Sequence, residues 1–141
     1  MKLGKKYMQL ISNMANENYT PISFGQEAEL MIGTCYEDIA KNHVYFTLGE
    51  GLLSGSHYGL RSSMLVFMEL VMRRHCEVEK NLQDIILTSL SVDSISTPTS
   101  NFIRGQSGIV HQTKDAFFMK ALLHSKESLV MSGTAVWSFC S

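Results

Sequence analysis

The chain has 141 residues, enough for one domain and too few for two of ordinary size. Apolar residues make up 45% and charged residues only 18%, below the about 25% usual for soluble domains, which predicts surface hidden against further copies of the chain. A formal net charge of -1, with no basic run denser than Lys5-Lys6 or Arg73-Arg74, excludes a dedicated nucleic-acid binder.

The opening "MKLGKKYMQLISNMANENYT" lacks the continuous about 7–15 apolar residues and the small-residue cleavage site of a secretory signal. Nothing approaches the about 18 uninterrupted apolar residues of a membrane span. Leu3, Tyr7, Leu10, Ile11 and Met14 recur at helical spacing, so an amphipathic helix is expected over 2–16, with Pro21 and Gly25 breaking the chain after it. Strands are expected from Leu30 to Tyr36 and from His43 to Leu48, joined by "AKNH"; Val44, Phe46 and Leu48 alternate as in a half-buried strand. The loop "GEGLLSGS" then leads into a helix from Tyr58 to about His75.

After "CEVEKNLQ" come strand candidates at Ile85–Ser96, Phe102–Gln112, Ala116–His124 and, across "SKES", Leu129–Phe139. In the last, Leu129, Met131, Gly133, Ala135, Trp137 and Phe139 share one face, and Val130, Ser132, Thr134 and Val136 the other. Strands that follow one another through short turns pair antiparallel, so this run reads as a meander. The layout is α+β, with a long helix against an antiparallel sheet. Cys35, Cys76 and Cys140 lie far apart with no CxxC pair, which fits free thiols in a reducing compartment. The chain is therefore expected to be soluble and cytoplasmic.

The long helix is unusually greasy. At about 100° per residue, Leu60, Met64, Phe67, Met68 and Val71 fill one face, Leu65 and Met72 extend it, and Val66 with Leu70 lie beyond. Ser62, Glu69 and Arg73 share one polar stripe; Ser63 and Arg74 form another. Such a helix is usually surrounded, and here a curled sheet on one side and a second subunit on the other are expected. Its first backbone N–H groups lack helical partners and carry the positive end of the helix dipole. Gly59 leaves room for a group to approach that backbone, so the tip suits a developing oxyanion, with His57 beside it as donor or acid. The plainer alternative is that Ser56 or His57 caps a core helix, with Gly55 and Gly59 serving the turn.

Three stretches carry a family resemblance. "SHYG" opens the helix, "ILTSLSVDSISTPTS" is a strand ending in a proline turn, and "AFFMKALLHSKESLVMSGTAVWSF" is a closing hairpin with small residues before an aromatic end. Together, over roughly residues 30–139, they resemble the hotdog-fold acyl-CoA thioesterase superfamily, in its phenylacetate-type (PaaI-like) branch. The resemblance implies a curled antiparallel sheet wrapping the long helix, with an N-terminal helix and linker over 1–24 and a single hotdog domain over 25–141.

That branch opens its helix with His-Gly-Gly and places an acid nine residues after the histidine. Here Tyr58 stands at the first glycine and Val66 at the acid. Glu69 is displaced by about 4.5 Å along the axis and about 60° around it. It is therefore either an i,i+4 ion-pair partner of Arg73 or a base. The tyrosine at the helix mouth is similar to that of a carboxylate-poor (FcoT-like) branch acting on long-chain acyl-CoA, in which polar side chains orient water. On that reading His57, Tyr58 and Tyr45 line the site.

The resemblance further implies a thioester bound where two protomers meet, with no cofactor beyond coenzyme A as part of the substrate. The acyl tail would follow Ser62, Met64, Leu65, Val66 and Met68, although a methionine stripe also serves as core. Phosphates and pantetheine would meet Thr99, Ser100, Asn101 and Arg104, although Arg104 alone also reads as a surface charge. The implied assembly is a homodimer, or a tetramer or hexamer of dimers.

"LGEGLLSG" is not a dinucleotide loop, because Ser54 replaces the third glycine and no strand–helix succession follows. The five histidines show no zinc-ligand spacing, and there is neither HExxH nor GxSxG. Cys76 beside His75 is adjacency, not a dyad. The expected function is hydrolysis or binding of fatty acyl-CoA thioesters in lipid metabolism. The alternative is a non-catalytic acyl-CoA or acyl-carrier-protein binder. Hydratase chemistry, also found on this fold, lacks a convincing His/Asp or His/Glu pair here.

Overall fold

The structure, a computed structural model, describes residues 19–25, 35–48, 57–81 and 84–139, excluding the side chains of His57 and Tyr58. The helix expected over 2–16, the start of the strand expected from Leu30, and the loop 49–56 lie outside the described residues. The elements are β1 (Thr20–Ile22), β2 (Cys35–Asp38), β3 (His43–Thr47), α1 (His57–Lys80), β4 (Ile85–Ser94), β5 (Phe102–Gln112), β6 (Ala116–Ser125) and β7 (Ser128–Phe139). The described strands join one seven-stranded antiparallel sheet in the order β1-β2-β3-β5-β6-β7-β4.

The sheet curls round α1. Leu60, Met64, Phe67, Met68, Val71 and Met72 are buried against Phe46, Ile103, Phe117, Leu123 and Trp137 of the strands. Each fully buried large side chain contributes about 1.5–3 kcal/mol. Phe46 and Phe67 rings meet at 4.0 Å, and Trp137 Nε1–H points to Met72 Sδ at 3.3 Å. Leu65, expected to extend the buried face, is instead 38% exposed. Ser63, expected on a polar stripe, is buried.

α1 outlasts its expected end near His75. The apolar period stops at Cys76, but polar side-chain contacts carry the helix on: Arg74 Nη1 lies 3.5 Å from Glu77 Oε2, and His75 lies against Glu79 one turn later. Asn81, at φ 54°, then takes the left-handed conformation that closes helices. Arg74 also forks onto the buried Glu37 of β2, with bonds of 2.9 and 2.6 Å, tying the helix to that strand. In the β2–β3 turn, Asn42 supplies the positive φ, at 55°.

The expected meander holds for β5-β6-β7 and fails for β4. The link 95–101, with Pro98, is longer than a hairpin loop, and it carries the chain from the β7 side to β3 and β6 rather than folding β5 back on β4. β4 also ends at Ser94 rather than Ser96, because Ile95 and Ser96 N–H both turn to the Val130 carbonyl, at 2.9 and 3.3 Å. Val130, expected to face away from the core, is buried. The β6–β7 register shifts between Leu123/Met131 and His124/Leu129, so Val130 is the extra residue of a bulge.

Two glycines of β5 give a direct test of this packing. A methyl at Gly105 would meet Val71 Cγ2 at 2.7 Å and Phe67 Cε2 at 3.0 Å, whereas at Gly108 it would meet nothing within 4 Å. Gly105→Ala is expected to destabilise by about 1–3 kcal/mol, and Gly108→Ala to be neutral or slightly stabilising, as read by chemical denaturation.

Candidate functional site

The first two turns of α1 form one wall of a cleft of about 210 Å³. Leu60 and Met64 meet Val130 and Met131 of β7 there, while Ser94, Ser96, Thr97 and the buried Pro98 close it from the end of β4. The bulge that turns Val130 inward thus shapes the cleft. Arg61 stands at its rim, exposed. Reading the sequence for motifs missed Arg61. The available signal was its sign, since a cation near the helix start opposes the helix dipole and no acid stands in the first turn.

The expected tail-binding residues divide. Met64 lines the cleft, but Met68 is wholly buried against Gly133 and belongs to the core. Ser62, Val66, Glu69 and Arg73 form a stripe along the β4 side of the helix. Arg73 marks it, reaching the Ile85 carbonyl at 3.4 Å and lying 5.2 Å over the Trp137 ring. Glu69 Oε1 is 3.9 Å from Arg73 Nη2, the expected i,i+4 pair, with Glu69 40% exposed. Val66 and Leu70, like Leu90 and Val92 of β4, are only partly buried. Helix stripe and strand edge are therefore open on the same side.

The backbone of α1 begins at His57, so the N–H groups that have no partner within the helix stand at that end, with Gly59 half-buried behind them. The side chains of His57 and Tyr58 lie outside the described residues.

Tyr45 and Arg104 lie elsewhere. Their neighbours Val44, Phe46, Ile103 and Gly105 face the helix, so by strand alternation both side chains stand on the outer face of the sheet, in register with one another. Tyr45 stacks on Phe102 at 5.1 Å, meets Tyr19 edge-on at 4.9 Å, and its hydroxyl lies 3.1 Å from His43 Nδ1. Burial, helped by the bond to Tyr19, pushes the Tyr45 phenol well above its ordinary value. The sheet separates this pair from the helix mouth within one protomer.

Thr99 is exposed, while Ser100 and Asn101 are engaged in the link. Ser100 N–H donates to Ser125 Oγ at 3.1 Å, Ser100 Oγ accepts from Phe102 N–H at 3.2 Å, and the Asn101 carbonyl accepts from Leu48 N–H at 2.6 Å. Cys76 is sealed in the core with its sulfur 3.4 Å from Met119 Sδ, and burial pushes its thiol up to about 11, which suits packing and not nucleophilic attack. Among the described residues no helix is long and apolar enough to cross a membrane.

No protein-family model matches the sequence, and no curated protein does either. Solved structures share the architecture. A Bacillus halodurans protein determined with CoA is 16% identical, over 97% of this chain and 92% of its own, at a TM-score of 0.62. A Streptococcus mutans protein bound to acetyl CoA is 9% identical over 88% and 90%, at 0.61. A Ralstonia eutropha protein named as a candidate thioesterase related to phenylacetic acid degradation is 12% identical over 91% and 89%, at 0.56. At such identities the likeness establishes fold. This chain has the hotdog fold, the one that its sequence resemblance to the thioesterase superfamily implied.

Two histidines on the outer face carry a pH dependence. His43 and His124 are both held below the ordinary value of 6.5, first by burial and then by the charge of Arg104. The unfolded chain therefore binds protons more readily, and stability present above about pH 6.5 is lost as pH falls from there toward the lowered values. Denaturation midpoints taken at about pH 7.5 and about pH 5.5 should fall with pH, and His124→Gln should flatten the slope.

Proposed function

We propose that the chain is an acyl-CoA thioesterase working as a homodimer, with the thioester held between the α1 mouth of one protomer and the helix stripe of the other. The observation that carries this reading is the cleft at the first turns of α1, lying beside a side of the molecule whose apolar residues are only half covered. β4 offers a ten-residue edge there. Edges of that length are ordinarily paired or covered. The CoA-bound neighbours of the same fold support thioester recognition.

In this mechanism water attacks the thioester carbonyl, and the oxyanion is received by the unpaired N–H groups around Gly59. His57 and Tyr58 orient water and carbonyl, and the proton given up by the attacking water passes to the thiolate as the C–S bond breaks. Their contribution is positional and electrostatic, so no carboxylate is required at Val66. The acyl chain enters past Leu60 and Met64 and along Ser62, Leu65 and Val66 at the subunit boundary. Arg61, at the rim, is suited to the anionic end of the substrate. Glu69 serves its pair with Arg73. The second reading, a binder of acyl-CoA or acyl-carrier protein that has lost hydrolysis, is favoured by one fact: Val66 occupies the position of the resembled family's acid.

Release of free CoA thiol across acyl lengths, run beside direct binding, separates the two readings. Turnover is expected, and binding without release at every length would leave the second. His57→Ala should lower kcat/KM by about 10²-fold, the scale of one lost proton-transfer or oxyanion group. Glu69→Gln should leave it within about threefold, as expected for loss of an exposed ion pair of about 0–1 kcal/mol; a hundredfold loss would make Glu69 the base. Val66→Lys, placing a charge on the open stripe, should shift the assembly toward monomer in sedimentation.

A further inference from the structure

The outer face of the sheet carries a second cluster that the helix-mouth site does not use. Arg104 of β5 stands in register between Tyr45 of β3 and His124 of β6. Side chains registered in this way have Cβ atoms about 4.5–5.5 Å apart. Among the described residues Arg104 has no ion-pair partner. Its Nε is buried without a hydrogen-bond partner, and so is Nδ1 of His124 beside it. A buried guanidinium N–H with no acceptor is costly, and two orphaned polar atoms side by side are rarely left so.

The surroundings are cationic. His43 feels the charge of Arg104 and bonds to Gln106, the next outer-face residue of β5. Beyond Gln106, Lys41 and Lys120 flank a cleft of about 370 Å³ on the same stretch of β5. The acids near this face are otherwise placed: Asp38 accepts from Lys41 N–H at 3.3 Å within its turn, and Asp93 lies on β4 at the far edge. Glu127, in the β6–β7 turn, acts on His124 less than burial and Arg104 do.

We infer that the Arg104–His124 pair is the centre of a binding site for a small oxyanion, a phosphate or carboxylate group, on the sheet face opposite the helix. The guanidinium fork presents parallel donors to such a group, His124 adds a donor, Tyr45 and Phe102 form an apolar wall, and Lys41 and Lys120 hold any further negative charge. Within one protomer the sheet lies between this site and the helix mouth, which sets it apart from the place beside the phosphates of coenzyme A that the resemblance implied for Arg104.

Inorganic phosphate titrated into the full chain, in a buffer whose only other anion is chloride, tests this through the imidazole NMR signals. The His124 and His43 signals are expected to move along one saturable curve, and the His124 pKa to rise as the bound anion offsets Arg104. The groups that set its starting value, Arg104 and Glu127, are unchanged by the titration, as are Asp38 and Lys41 facing His43. Arg104→Gln should weaken binding by about tenfold or more, the scale of a lost charge-assisted bond. Arg104→Lys, which keeps charge and loses the fork, should fall between. Lys114→Gln, on an exposed turn, should change nothing. Malonate in place of phosphate distinguishes the source, the tighter of the two naming the group. No saturable shift, an equal response in a folded Arg104→Gln protein, or signals that follow protein concentration and ignore the anion would overturn the site; the last would make this face a contact between copies.

Discussion

A helix that is apolar round most of its circumference has to be covered round most of its circumference, and one curled sheet cannot do that alone. The rest of the structure depends on this constraint. β3, β5, β6 and β7 cover the Leu60–Phe67–Val71 side completely, burying Phe46, Phe117 and Trp137 to the point of no measurable exposure. On the β4 side, Val66 and Leu70 are only half covered, next to a strand whose own inward residues Leu90 and Val92 are half covered too. The low charge content of the chain, 18%, is the same fact in composition.

The proposed function follows from where that gap lies. The cleft at the first turns of α1 opens beside the half-covered side, where the proposed second protomer would border it. The polar groups fit that division of labour. Ser94, Ser96 and Thr97 rim the cleft, whereas Ser100 and Ser125 spend their hydrogen bonds on closing the chain link that shapes it.

Much of the fold was legible because local pattern and tertiary role agree. β5 begins and ends at the residues its alternation indicates, Phe102 and Gln112, and the inward set Met131, Gly133, Ala135 and Trp137 of β7 is the set its period gives. What was not legible is what local pattern does not encode. The helix continues past His75 on polar side-chain contacts after its apolar period has ended. The position of β4 next to β7 is a long-range choice among edges that no window of sequence contains. Val130 turns inward because a register shift two strands wide places it so. For the sites, Met64 was readable from helical spacing, but Arg61 carries no motif. Arg104 and His124 are twenty positions apart in sequence and become neighbours only through the β5–β6 register.

The central claim, that the open stripe of α1 and the edge of β4 form one surface completed by a second copy, is tested most directly by amide hydrogen exchange along Ile85–Ser94 over a dilution series. A paired edge predicts slow exchange at high protein concentration that accelerates on dilution, in step with dissociation measured by mass. Rapid exchange on the solvent side of β4 at every concentration, in a chain that stays monomeric, would contradict it.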